Sequence, residues 1–65
     1  MVKNRLKEIR MKEYMMSSSE FSNFLDTSLK TYSAWETGRS KPTLEKALEI
    51  ANKLNKDIKE IWYLE

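Results

Sequence analysis

An all-α fold of five short helices is what this 65-residue sequence predicts. Three observations carry the prediction. Apolar residues recur at three- and four-residue spacing along most of the chain. Asn4, Ser17, Ser28 and Thr43 stand where helices would start, with side-chain oxygens suited to capping them. The only glycine, Gly38, and the only proline, Pro42, fall close together, where one helix must stop before the next begins.

The first helix is expected over about residues 4–13, with Asn4 as N-cap and Leu6, Ile9 and Arg10 on one face. The second covers about 18–24 and buries Phe21, Phe24 and Leu25. Ser17 or Ser18 caps it, and Ser17 with Glu20 fits a capping box. Asp26-Thr27 is the turn. The third covers about 28–37, capped by Ser28. Its Tyr32 and Trp35 face inward; Leu29, Lys30, Ser33, Ala34 and Thr37 fall on the other side. Gly38 ends it. The fourth, about 43–54, starts at Thr43 and carries a broad apolar stripe of Leu44, Ala47, Leu48, Ile50, Ala51 and Leu54. The fifth is short, about 57–61. Trp62-Tyr63-Leu64 has strand character, with Val2 at the other end of the chain. The termini form either a short antiparallel ribbon or two frayed ends.

Length and composition narrow the function classes. Residues 1–65 read as one domain, and a chain this short buries only roughly 60% of its unfolded surface. There is no cysteine and no histidine, which removes disulfides, the usual zinc ligands, His-based catalysis and thiol nucleophiles. Self-association is the remaining staple. No apolar run reaches membrane-spanning length and no signal-peptide pattern opens the chain, so a cytoplasmic protein is expected. The net charge of +2 is unevenly spread: residues 1–12 carry +4, 13–28 carry −3, 29–43 carry +2 and 44–65 carry −1. The basic charge thus gathers on helix 1 and around helix 3. That is a modest footprint for a polyanion, or else a solvated charged surface.

Helices 2 and 3 are joined by only three or four residues and must cross steeply, as in a helix-turn-helix. Such a pair lets one helix brace while the next enters a DNA groove. No catalytic constellation accompanies it. Glu8, Glu13, Glu45 and Glu49 read as solvated helix faces, a lone glycine makes no phosphate-cradling loop, and Met11, Met15 and Met16 read as packing or loop residues. A protein that is not an enzyme, with no metal, cofactor or small-molecule ligand, is expected.

The motifs then resemble a known family. Asn4 to Arg10, Ser18, Phe21 to Leu25 and Thr27 to Glu36, followed by Gly38, Lys41-Pro42-Thr43-Leu44 and Ala47 to Ala51, resemble the lambda-repressor-like, Cro/C1-type helix-turn-helix family over nearly the whole chain. In length and ends the chain looks most like the small stand-alone dimeric repressors of the cytolysin-operon repressor kind. It departs from the family in several places. Ser18 and Lys30 stand where glutamines are usual, Ser22 where a small residue is common, and Asp26 where the turn often has glycine. The spacing from Arg10 to Phe21 is one residue longer than usual.

The candidate site follows from both readings. Leu29 would meet thymine methyl groups or else cover a core edge. Lys30 would reach guanine O6/N7 or a phosphate, and Ser33 and Ala34 are small enough to let the helix sink into the groove. Ser18, Ser28, Thr37, Arg39 and Lys41 are candidate phosphate ligands. Glu36, near a helix C-terminus, needs a cation, and the resemblance supplies Arg10 as a structural partner. Ile58, Ile61, Trp62 and Leu64, four apolar residues within seven positions, suggest a dimer interface. The expected function is a sequence-specific regulator, a repressor, binding double-stranded DNA as a homodimer on a palindromic operator. The alternatives are the antitoxin of a toxin–antitoxin pair and a protein-interaction module without DNA binding. An acidic recognition face would favour the latter, and helix 3 offers no acid there.

Overall fold

Oxygen caps start most of the helices, and left-handed residues end all four. The computed structural model describes residues 1–65. In chain order it has strand β1 (Val2–Asn4), helix α1, helix α2 (Ser18–Phe24), helix α3 (Leu29–Thr37), helix α4 (Leu44–Lys53), a 3₁₀ turn (Ile58–Glu60) and strand β2 (Trp62–Leu64). Helix α1 opens as one α-helical turn (Leu6–Glu8) and continues as a π-helix (Ile9–Tyr14).

At the starts, Ser17 and Glu20 form the expected capping box, Ser28 Oγ accepts from Thr31 N, and Thr43 Oγ1 accepts from Lys46 N. Asn4 departs from expectation. It lies in β1, and Arg5 takes the N-cap position without a side-chain cap; Asn4 Oδ1 instead accepts the Leu6 N–H at 3.0 Å from one residue further back. At the ends stand Met15, Asp26, Gly38 and Asn55, all with positive φ. After α2 and α4 the closure is a Schellman motif: Thr27 N donates to Ser22 O, and Lys56 N to Ala51 O.

The π-helix is where α1 widens, and a widened turn holds one residue more than an α-helical turn. Leu6 and Ile9 are buried on the core side of α1.

The fifth helix is not formed. Four helices are present, and residues 57–61 make only the 3₁₀ turn, started by an Asp57–Glu60 capping box. The chain must then straighten at once, because β2 pairs antiparallel with β1 in the register Val2↔Leu64, Lys3↔Tyr63 and Asn4↔Trp62. The ribbon left open by the sequence is therefore present, extended by Arg5 N donating to Ile61 O at 2.8 Å.

The core joins every helix: Leu6 and Ile9 from α1, Phe21 and Leu25 from α2 and its end, Tyr32 and Trp35 from α3, Ile50, Ala51 and Leu54 from α4 and its end, and Ile61. Tyr14, Phe21, Phe24 and Tyr32 form an aromatic run with ring centroids 5.3 to 6.1 Å apart. The α4 stripe is narrower than expected. Leu44 and Leu48 are 71% and 48% exposed, because Ala47, Ile50, Ala51 and Leu54 already cover the side facing the core.

Candidate nucleic-acid interface

The α2–α3 turn sets the site. Asp26 takes the left-handed conformation at φ 57°, which aspartate tolerates better than most residues. Ser28 then restarts the backbone as a helix: its Oγ accepts from Thr31 N at 3.1 Å and lies 2.9 Å from Thr31 Oγ1. The Ser28 hydroxyl is thus spent on capping, and what it leaves for a phosphate is backbone N–H.

Helix α3 is anchored on one side only. Tyr32 and Trp35 are buried; Leu29 (46% exposed), Lys30, Thr31 and Thr37 are exposed, and Ser33 and Ala34 are half-buried. Lys30 makes no ion pair within the chain. The outward surface therefore presents one free cation, a leucine, hydroxyls and a methyl, with no carboxylate. Thr31, exposed beside Ser28, was not singled out from sequence because it sits at the margin of the outward arc.

Thr37 and Arg39 close the far end. Thr37 Oγ1 donates back to Ser33 O at 3.0 Å and accepts from Arg39 Nε at 3.4 Å, drawing the guanidinium toward α3. Gly38, at φ 83°, makes the turn between them. Arg39 and Lys41 are exposed and free of acids. Ser18 is half-buried in the first turn of α2, beside the Glu20 carboxylate that accepts from Ser17 N at 2.8 Å. That carboxylate already offsets part of the positive helix end, so Ser18 is the weakest of the phosphate candidates.

A half-buried network seats α3 on α1. Arg10 Nε and Nη2 donate to the two carboxylate oxygens of Glu36 at 3.1 and 3.2 Å, and Nη1 donates to Met16 O at 3.0 Å. Tyr32 donates its hydroxyl to Glu36 as well. Burial pushes the Glu36 carboxyl up, but the hydrogen bonds from Arg10 and Tyr32 outweigh it and hold the group below its ordinary value. Burial, followed by the bond to Glu36, raises Tyr32. Asn4 adds a second tie by donating from Nδ2 to Trp35 O at 2.9 Å.

The expected dimer surface is revised. Ile61 is fully buried within the protomer and has nothing to offer a partner, because the 3₁₀ turn points it into the core. Ile58 and Trp62 are half-buried, and Leu64 is 80% exposed. With Val2 they line an apolar groove of about 380 Å³, which adjoins a second of about 250 Å³ reaching Pro42 and Leu44. Val2 joins the patch because the ribbon brings the N-terminus beside β2, and it lines both grooves, the second of which Leu44 borders from the start of α4.

No helix is long and apolar enough to cross a membrane. Residues 6–61 match the family model described as helix-turn-helix. No curated protein matches the chain.

Proposed function

This chain belongs to the helix-turn-helix family, a DNA-binding regulatory family and not an enzyme family, and we propose that it is a sequence-specific transcriptional repressor acting as a homodimer. Within the lambda-repressor-like, XRE-type branch, it resembles the small dimeric repressors of the cytolysin-operon type. Helix α3 enters the major groove. Lys30 and Leu29 reach base edges, Ser33 and Ala34 allow close approach, and Ser28, Thr37, Arg39 and Lys41 hold phosphates through side chains or backbone N–H groups. Two protomers joined through the Val2, Leu44, Ile58, Trp62 and Leu64 patch read half-sites about one helical turn, roughly 34 Å, apart. Two-fold symmetry then requires a palindromic operator.

The observation that carries this reading is the outward surface of α3: a helix pinned by Tyr32, Trp35 and Glu36 that turns a free lysine and small polar residues to solvent, with no acid among them. Selection of bound sequences from a random duplex pool tests it. A palindrome whose halves lie one turn apart is the expected outcome. Recovery of no sequence above background would sink the reading and leave the fold as a protein-interaction module.

A further inference from the structure

Sulfur occurs in this chain only as methionine, and one of the four methionines is built into the seat of α3. Met1, Met11 and Met15 are exposed, whereas Met16 is half-buried and packs against the core. Both backbone groups of Met16 are held by Arg10. Met16 N donates to Arg10 O at 3.2 Å, and Arg10 Nη1 donates to Met16 O at 3.0 Å. The same guanidinium grips Glu36 of α3 through its other two nitrogens. Met16 also stands directly before Ser17, the N-cap of α2. An apolar side chain at that position packs over the first turn of the helix and fixes the angle at which the chain enters it. Phe21, at the position such a residue staples to, is fully buried. The Met16 side chain therefore sets where its own carbonyl lies, and that carbonyl is one of the three acceptors that orient the Arg10 side chain.

We propose that Met16 is a reversible oxidation site through which peroxide releases the protein from DNA. This rests on the DNA-binding reading above. A sulfur lone pair attacks one peroxide oxygen and the O–O bond breaks. That oxygen's proton passes to the departing hydroxide, giving the sulfoxide and one water; sulfur loses two electrons and the peroxide gains them. The sulfoxide is polar and chiral, and against the core its oxygen has no donor. The side chain turns to solvent and the Met16 carbonyl moves with it. Arg10 loses an acceptor, and α3 loses its fixed tilt on α1. Met1, Met11 and Met15, being exposed, react sooner, but their side chains anchor no element, so Met16 sets the dose at which binding is lost.

Graded hydrogen peroxide treatment tests the assignment, with sulfoxide at each methionine followed by peptide mass spectrometry and affinity measured on the selected operator. Binding should weaken by on the order of tenfold as Met16 sulfoxide accumulates, and not while only the exposed methionines are oxidised. Met16→Leu keeps an apolar side chain without the sulfur and should hold its affinity at the same dose. The double variant Met11→Leu, Met15→Leu should lose affinity as wild type does. Methionine sulfoxide reductase with a thiol reductant should restore binding. Loss of binding in Met16→Leu, full affinity with Met16 oxidised, or failure of the reductase to restore binding overturns the proposal and leaves the DNA reading standing. If untreated wild-type protein binds no duplex, both fall together.

Discussion

Arg10 grips Glu36 with two parallel hydrogen bonds across 26 residues of chain, and so joins α1 to α3. The two side chains are only 12% and 13% exposed. Arg10→Ala would strand a carboxylate that also accepts from Tyr32. The expected cost is about 3 kcal/mol or more, which in a domain of this size lowers Tm by at least about 12 °C at about 4 °C per kcal/mol. Arg10→Lys keeps the charge but loses the planar fork and should fall between the two. Thermal melts followed by circular dichroism check the ranking.

The same network sets an acid limb. The folded Glu36 carboxyl lies below its ordinary value, since the bonds from Arg10 and Tyr32 overcome the opposing effect of burial. A depressed carboxyl contributes stability that is complete above the unfolded pKa, about 4.3, and is lost as pH falls through the lower folded value. Glu36→Gln should be less stable at neutral pH and lose less on acidification. Denaturant melts across the acid range measure both slopes.

Lys30 and Arg39 should fail differently. Lys30→Ala is expected to lose discrimination at one or two base pairs per half-site, on the order of 1–3 kcal/mol. Arg39→Ala should weaken all duplexes alike and reduce the salt slope by about one contact per protomer. Titrations on matched and mismatched duplexes separate the two. Equal weakening in Lys30→Ala would shift base reading to Leu29, Ser33 and Ala34, and no effect in either variant would remove α3 from the groove.

Backbone conformation gives a pair of opposite predictions. Met15 is left-handed at φ 51° with its side chain 82% exposed, so a side chain is strained there and packs against little. Met15→Gly should stabilise by up to about 1 kcal/mol. Gly38, at φ 83°, has open space where a Cβ would go. Gly38→Ala should therefore destabilise by about 1 kcal/mol from backbone strain alone. Chemical denaturation midpoints report both signs.

Leu44 and Leu64 test the proposed dimer surface without disturbing the core, being 71% and 80% exposed. The double variant Leu44→Glu, Leu64→Glu should keep the wild-type circular-dichroism spectrum yet sediment as a monomer at micromolar concentration. A persisting dimer would place the interface elsewhere.

Much of this protein is local, and what is local was legible in its sequence. Ser17 with Glu20, Ser28 and Thr43 cap helices through bonds spanning three residues, and Gly38 stops α3 through its own freedom at positive φ. Period 3.6 was enough to turn Tyr32 and Trp35 inward and Lys30 and Thr37 outward. The Arg10–Glu36 tie, by contrast, came from family resemblance rather than from periodicity, since no short-range pattern links residues 26 positions apart.

Only the tertiary structure decided the rest, because it depends on which surfaces meet. Pairing of Val2–Asn4 with Trp62–Leu64 cut the fifth helix to one 3₁₀ turn and drove Ile61 into the core. The same pairing brought Val2 beside Leu64 from the opposite end of the chain and set it between two apolar grooves, the second of which reaches Leu44. An apolar residue carries the same hydrophobic driving force wherever it stands, so the sequence by itself determined which residues seek burial, and the packing of distant segments decided which of them obtained it.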